Sequence, residues 1–247
     1  MCRATQSRLP LLCVLLTAAT LCGLACRPGT TSQVVPIAAP LPVQERARYR
    51  IESDTGQKLG EAILSIENGG GALTFTTHIE LSNGNTNDGR TVVEPPTLRP
   101  RSVDRSVTLS GHRIDLHEVY SVDGVTSTLE NGSSVRTHVQ KLPESAYDDQ
   151  ESLFLWRTLQ FATGYTVHYV NVLFDARGGT ISRPLGTAHV AFRERIRLPT
   201  GNADAWRVEF SAAGLANTAW YEDSPGRRLL KYRIPAQQVT YYLDEAS

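Results

Sequence analysis

The stretch ALTFTTHIEL, residues 72–81, alternates apolar and polar side chains. Leu73, Phe75, Ile79 and Leu81 fall on one side of an extended chain, and polar or charged residues fall on the other. Side chains of a β-strand point alternately to its two faces, so this spacing predicts a strand with one buried face.

The same alternation recurs through the C-terminal half. In the run 188–198, one side of the chain is apolar apart from Glu194: Ala188, Val190, Phe192, Ile196 and Leu198. Three more sets share the spacing: Trp206, Val208 and Phe210; Leu230, Tyr232 and Ile234; Val239, Tyr241 and Leu243. Turn signals such as Asn-Gly, Asp-Gly and Gly-Gly separate the runs, with no long helical crossovers between them. The pattern predicts a mainly β domain of roughly nine to eleven antiparallel strands.

The segment DDQESLFLWRTLQF, residues 148–161, breaks this pattern. Its apolar residues recur three and four positions apart, the spacing of one helix face, and either aspartate at its start can supply the N-cap. We predict one short helix over residues 149–161, packed across the sheet as part of the core. The alternative is a helix that forms one lip of a cavity lined by Phe154 and Trp156.

The segment NTAWYEDSPGRRLLKY, residues 217–232, predicts a β-hairpin whose turn contains Pro225 and Gly226. Acidic residues precede this turn and arginines follow it, so weak ion pairs across the turn are expected. Trp220 is expected to cover the edge of the core, and the alternative is an aromatic mouth that binds a ligand. The candidate ligand-binding residues of the chain are Phe154, Trp156, Trp206, Trp220 and Tyr221.

No catalytic residue is identifiable from the sequence, because the motifs of serine hydrolases, zinc proteases and nucleotide-binding loops are absent. His112 and His117 in HRIDLH suggest a metal site, but two residues five apart on a strand face opposite sides. The stretch NGNTNDG, residues 83–89, fits a hairpin connection better than a calcium loop, since it offers a single carboxylate, Asp88. We therefore expect no metal and no other cofactor, and a non-catalytic role is favoured over an enzymatic one.

The N-terminal residues MCRATQSRLPLLCVLLTAATLCGLACRPG have the order of a secretory signal, with Arg3 and Arg8 before an uncharged, mostly apolar stretch. Gly-Leu-Ala-Cys, residues 23–26, resembles the lipobox of bacterial lipoproteins, in which the cysteine is acylated and becomes the new N-terminus. We expect a signal peptide over residues 1–25 and lipidation of Cys26. Ordinary cleavage and an uncleaved anchor helix are the alternatives, and each outcome places the remainder outside the cytoplasm.

Residues 26–44 contain four prolines and no acidic residue, which indicates an extended tether instead of a folded element. Residues 45–247 then form a single β-rich domain that has no cysteine and therefore no disulfide. Without the signal peptide, 23 Lys and Arg face 25 Asp and Glu, a balance that does not indicate nucleic-acid binding. The sequence does not indicate an oligomeric state.

Several turn and core residues carry a family resemblance: Glu194 to Gly201, Trp206, Val208, Ala219 to Tyr221, Pro225, Leu229 to Tyr232, and Leu155 to Arg157 with Leu159 and Phe161. Over residues 145–243, and more loosely over 48–81, the chain resembles an uncharacterised family of bacterial exported proteins that carries a domain-of-unknown-function label. The resemblance implies a curved antiparallel sheet or half-open barrel with one short helix packed against it. This shape is similar to bacterial lipoprotein carriers, which hold acyl chains in their concavity.

Together these features predict an exported, membrane-anchored lipoprotein of the bacterial cell envelope, facing the periplasm and acting without catalysis. It would bind a lipid or another apolar or amphipathic ligand, or assist envelope assembly, with the membrane as its partner through the N-terminal anchor. One alternative is a structural or interaction module with a filled barrel. Another is a hydrolase whose residues converge only in the folded chain.

Overall fold

The structure is a computed structural model that describes residues 31–246. The predicted signal peptide, residues 1–25, and the predicted lipidation site, Cys26, lie outside these residues. Within the described range, sixteen strands and one short α-helix account for the regular structure, together with two short 3₁₀ turns. No helix between residues 31 and 246 is long and apolar enough to cross a membrane.

The strands are β1 (Gln44–Ser53), β2 (Lys58–Gly69), β3 (Ala72–Leu81), β4 (Thr86–Glu94), β5 (Arg99–Leu109), β6 (His112–Tyr120), β7 (Gly124–Asn131), β8 (Ser134–Lys141), β9 (Ala146–Asp148), β10 (Thr166–Asp175), β11 (Thr180–Ser182), β12 (Leu185–Leu198), β13 (Gly201–Ala212), β14 (Leu215–Glu222), β15 (Leu229–Ile234) and β16 (Val239–Ala246). They form one sheet in the order β11-β10-β12-β13-β14-β15-β16-β1-β2-β3-β4-β5-β6-β7-β8. Neighbours along this path are antiparallel, while β9 pairs in parallel with β10. The predicted antiparallel sheet is therefore confirmed, and it is not closed into a barrel.

The number of strands exceeds the predicted nine to eleven. The strands β9 and β11 have three residues each, too few to show an alternating pattern. In β8, seven of the eight residues are exposed, so no buried face marks it in the sequence. Hydrogen bonding to a neighbouring strand defines these elements, and apolar patterning cannot detect that pairing.

The helix α1 spans Ser152–Arg157 and follows a 3₁₀ turn over Asp149–Glu151, so it is shorter than the predicted 149–161. Asp148 caps the turn: its carboxylate accepts from the Gln150 N–H, and its own N–H donates to Glu151. Regular helix stops at Thr158 because the following carbonyls have other partners. Thr158 O accepts from the Ala38 N–H at 2.8 Å, and Leu159 O accepts from the Arg227 guanidinium.

The sheet curves around α1. The rings of Phe154 and Phe75 on β3 stack with centroids 4.4 Å apart, and Trp156 stacks on Phe210 of β13 at 4.8 Å. The strands β3 and β13 are six positions apart in the sheet, which would be about 29 Å if the sheet were flat. Two side chains on one helical turn reach both strands, so the sheet must wrap around the helix. We call the face that contacts α1 the inner face and the opposite one the outer face.

The inner face carries the main core, in agreement with the predicted packing of the helix. Leu155, Trp156 and Leu159 are at most 1% exposed. The Trp156 indole N–H donates to the Tyr169 hydroxyl at 2.7 Å, and the Tyr221 hydroxyl donates to Leu153 O at 2.7 Å. The polar atoms of these large side chains are thus hydrogen-bonded inside the core, as burial requires.

The strand β12 does not keep one apolar face, contrary to the prediction for residues 188–198. Val190 pairs with Val208 and Phe192 pairs with Arg207, which leaves Ala191 without a partner as a β-bulge. Since a bulge inserts one extra residue, it exchanges the two faces of everything beyond it. Ala188 and Val190 lie in the main core, whereas the residues beyond the bulge form a second cluster on the outer face: Ile196 and Leu198 with Ala205, Trp220 and Leu230.

The predicted hairpin over residues 217–232 is present as β14 and β15. Its charges are not paired across the turn, since Glu222 accepts a hydrogen bond from Ser224 within the turn and the other charged groups have partners elsewhere. Asp223 pairs with Arg193, Arg228 pairs with Glu45, and the Arg227 guanidinium lies over the Phe161 ring at 4.3 Å. The turn therefore holds the C-terminal end of α1 and carries structure instead of chemistry.

Residues 31–43, part of the predicted tether, lie against the domain in an extended form that we call the N-terminal strap. The Gln33 N–H donates to His168 O at 2.7 Å, and the Val35 N–H donates to the Tyr147 hydroxyl at 3.1 Å. Val35 is 2% exposed, and Ile37 and Leu41 pack against the main core. Apolar side chains between the prolines allow this segment to dock. The prediction of an extended tether considered the prolines and not these apolar side chains.

Candidate functional site

The candidate ligand-binding residues do not share one surface. Phe154, Trp156 and Tyr221 are buried in the main core, with exposures of 5%, 1% and 0%. Trp206 is half-buried on the inner face, where it packs near Phe161 and its indole N–H donates to Asp223 at 2.9 Å. Their apolar surfaces are occupied by other side chains of the domain.

Trp220 lies on the outer face, in the second cluster. Its indole N–H donates to Glu194 at 2.7 Å, and the Lys231 ammonium lies over its ring at 4.7 Å. The polar exception noted in the run 188–198, Glu194, is thus the hydrogen-bond partner of this tryptophan. Trp220 covers an apolar cluster, but not the one that the helix packs against.

A groove of about 480 Å³ crosses the outer face of β3 to β7. It is lined mainly by charged and polar side chains, which include His78, Asp88, Arg90, Asp104, Arg113, Asp115, His117 and Glu130. Strand register places these groups, because residues that pair across neighbouring strands present their side chains on the same face. His78 is opposite Asp88, and Asp104 is opposite His117.

Most charges in the groove are paired. His117 Nδ1 donates to Asp104 at 2.6 Å, His78 Nδ1 makes a short hydrogen bond to Asp88, and Arg113 pairs with Asp115 at 2.9 Å. Arg90 and Glu130 have no ion-pair partner within residues 31–246. The groove therefore offers hydrogen-bond donors and acceptors in an open setting, which suits a polar partner and not an acyl chain.

The histidines of HRIDLH lie on opposite faces of β6, since His117 lines the outer groove and His112 alternates to the inner side. Among the described residues, no group of three or more Asp, Glu, His or Cys side chains is arranged to hold a metal ion. The hairpin predicted at residues 83–89 is present, but its turn ends before Thr86, so Asp88 belongs to β4. Counting back from that turn places His78 opposite Asp88, a signal that the sequence interpretation did not use.

A second polar group, the carboxylate cluster, lies on the inner face between the sheet and the 149–151 turn. It consists of Glu118, Asp148, Asp149 and Glu151 with Arg105, Tyr120 and Ser127. The Tyr120 hydroxyl donates to Asp148 at 2.7 Å, Ser127 donates to Glu118 at 2.6 Å, and Arg105 pairs with Asp149 at 2.9 Å. These contacts join β5, β6 and β7 to the start of the helix.

Burial dominates the chemistry of the carboxylate cluster. Glu118, Asp148 and Glu151 are at most 2% exposed. Burial, with the neighbouring Glu118 charge as the next cause, raises the pKa of Asp148 from 3.8 to about 7. Burial also raises the pKa of Glu151 well above its usual range, and one of its carboxylate oxygens has no hydrogen-bond partner. Shifted carboxyl groups often mark active sites, but no substrate can reach these three side chains from solvent.

Comparisons with known proteins give a family but no activity. No curated protein matches the chain. Two solved structures are similar over most of their length. A candidate exported protein with a YmcC-like fold from Bacteroides fragilis NCTC 9343 has 9% identity and a TM-score of 0.30, covering 85% of this chain and 99% of its own. A candidate lipoprotein from Parabacteroides distasonis ATCC 8503 has 8% identity and a TM-score of 0.32, covering 87% of this chain and 100% of its own.

Both TM-scores are too low to transfer any property to this chain. The match to a family model covers a similar part of the chain, from near the start of β1 into β16, with the helix between them. The model of the family described as "protein of unknown function (DUF3108)" matches residues 46–244, and the chain belongs to that family.

Proposed function

We propose that the protein is a lipid-anchored protein of the bacterial cell envelope that acts without catalysis, as an interaction module. Its interior is occupied by its own side chains, so recognition takes place on the outer face and at the sheet edge. The proposed anchor rests on the N-terminal signal and the lipobox-like residues 23–26.

The observation that carries this proposal is the filling of the inner face. Aromatic side chains from the helix and from both halves of the sheet are in ring contact there, as with Phe154 on Phe75 and Trp156 on Phe210. The strap adds Val35 to the same core. A carrier of acyl chains needs an enclosed apolar cavity of several hundred Å³, whereas two grooves of that size in this protein lie on the outer face and are lined largely by charged and polar side chains.

The burial of the carboxylate cluster, which lies within residues 31–246, supports a non-catalytic role for these groups. General acid–base catalysis needs a titratable group within hydrogen-bond reach of a bound substrate. Glu118 and Asp148, the carboxyl groups that interact most closely, are 1% and 2% exposed. The hydrogen bonds from Ser127 to Glu118 and from Tyr120 to Asp148 give both carboxyl groups a structural role.

The anchor is tested by intact-mass spectrometry of the mature protein and by fractionation of the Cys26→Ser variant. We expect a mass that begins at Cys26 and includes acyl chains, and release of the variant from membranes. A Cys26→Ser variant that stays in the membrane fraction would contradict the anchor.

The filled interior is tested by titrating the purified protein with a fluorescent polyene fatty acid. We expect no saturable binding at micromolar concentrations, because the ligand would have to displace packed aromatic rings. A bacterial lipoprotein carrier serves as the positive control for the assay. Stoichiometric binding by this protein would overturn the interaction-module proposal in favour of ligand carriage.

A further inference from the structure

The strand β8 is a free edge of the sheet. Within residues 31–246 it pairs with β7 along Ser134–Lys141 and with no other strand. In an antiparallel strand, alternate residues direct their N–H and C=O groups to each side, so about half of these backbone groups point away from β7. At the opposite end of the sheet, β10 is covered by β9, which pairs with it over Val170–Val172, and by the strap, whose Gln33 N–H donates to His168 O.

The surroundings of β8 are unusually apolar for an exposed surface. Nine large hydrophobic residues are exposed within residues 31–246, and four of them lie here: Val119, Val122, Val135 and Val139. Val119 and Val139 both pair with Thr126 and so lie on the same outer face. Val135 and Val139 are 61% and 79% exposed. Clustered exposed apolar side chains indicate an interaction surface, whereas single ones do not.

The charges of β8 indicate which kind of strand could pair with it. Arg136, His138 and Lys141 are exposed, and the strand has no acidic residue. Arg183 adds a further cation at one end, where its guanidinium donates to Lys141 O at 2.8 Å. Two copies of β8 in antiparallel pairing would bring their basic side chains together, which is unfavourable. A second copy of this chain is therefore a poor occupant, and a strand with carboxylates is a good one.

We propose that β8 is a docking edge for an extended, acidic segment of another envelope protein, which adds to the sheet as one more antiparallel strand. The carboxylates of the segment face Arg136 and His138, and its β-branched side chains cover Val135 and Val139. Backbone hydrogen bonds supply affinity, and the alternate side chains supply specificity. This inference names the partner class of the proposed interaction module and rests on that function.

The probe is a synthetic nonapeptide that alternates glutamate with valine and is capped at both ends, titrated into the full-length protein purified in detergent. We expect saturable binding and at least about tenfold slower amide hydrogen exchange in residues 134–141 on binding. A peptide with lysine in place of glutamate, and a glutamate peptide interrupted by a central proline, should each bind at least about tenfold more weakly.

The matched variants are Arg136→Glu with His138→Glu on β8, and Arg46→Glu on β1 as the control, since all three side chains are exposed. The β8 variant should lose at least about tenfold in affinity, and the control should stay within about twofold. Equal binding of the proline or lysine peptide, or binding without protection of β8, would overturn the proposal. So would an absence of binding. A lipid found inside the domain would contradict the proposed function and leave this result unaffected.

Discussion

Asp148 connects local structure with electrostatics at the scale of single residues. Its carboxylate caps the 149–151 turn and also accepts the Tyr120 hydroxyl inside the carboxylate cluster. Burial raises its pKa to about 7, so the folded protein retains a proton that the unfolded chain releases near pH 4. Between these values the folded state binds more protons, and the free energy of unfolding falls as pH rises through about 7.

We predict that Asp148→Asn removes much of this pH dependence. Asparagine is as good an N-cap as aspartate, so the turn is kept while the titrating group is lost. The wild type should lose on the order of 2 kcal/mol of stability between pH 5 and pH 8, and the variant clearly less. Denaturant unfolding at both pH values measures the difference, with exposed Asp123→Asn as the control. Parallel pH profiles for the wild type and Asp148→Asn would contradict the assignment.

At the scale of secondary structure elements, the β-bulge of β12 determines which face of the sheet each part of that strand covers. Ala191 has no partner on β13, and it separates the part of β12 that faces the main core from the part that faces the second cluster. One extra residue thus allows a single strand to serve two cores on opposite faces of the sheet.

Deletion of Ala191 should destabilise the domain by on the order of 3 kcal/mol or more. Without the bulge, either Ala188 and Val190 or Ile196 and Leu198 must turn to the wrong face. Ala191→Ser retains the extra residue, so it should change stability by less than about 1 kcal/mol. Equilibrium denaturation of both proteins checks this, and a deletion as stable as the serine variant would show that the bulge is dispensable.

The strap offers a second test at this scale through two neighbouring valines. Val35 is 2% exposed and Val34 is 38% exposed. Val35→Asp places a carboxylate in the core and should cost about 2 to 4 kcal/mol, whereas Val34→Asp should cost less than about 0.5 kcal/mol. Thermal and denaturant unfolding compare them. Similar stabilities would mean that the strap does not dock.

Several elements follow from sequence pattern, and others depend on information that pattern lacks. The stretch ALTFTTHIEL is β3 with the same boundaries, because its alternation reflects one buried face. The faces of β12 were predicted incorrectly, since a bulge shows no compositional sign at Ala191. The outer groove depends on which residues pair across neighbouring strands. In the sequence, the turn between β3 and β4 is the feature that indicates this pairing. The approach of Glu118 to Asp148 joins residues 30 positions apart and required the folded chain.

At the scale of the whole molecule, the two faces of the sheet have different roles. The inner face is filled by the helix, the strap and the aromatic core, while the outer face and the β8 edge present polar and cationic groups. The strap also determines orientation if Cys26 carries the lipid. Gln33 is docked on β10, and the seven residues that follow Cys26, 27–33, can span at most about 25 Å.

We therefore predict that the end of the domain near Ser145 lies close to the membrane. Ser145 hydrogen-bonds Ser32 of the strap at 2.7 Å, and its neighbour Glu144 is exposed. Ser110 marks the far end of β5, an eleven-residue strand about 33 Å long. A fluorophore on Glu144→Cys should be quenched more strongly by nitroxide lipids than one on Ser110→Cys. Equal or reversed quenching would exclude this orientation.

The most direct test of a filled interior is native mass spectrometry of the folded protein purified from its own membranes in mild detergent. We expect one mass, equal to the polypeptide from Cys26 with its covalent acyl chains and no other molecule. A reproducible additional mass of a lipid or fatty acid, released when the protein is unfolded, would contradict the account.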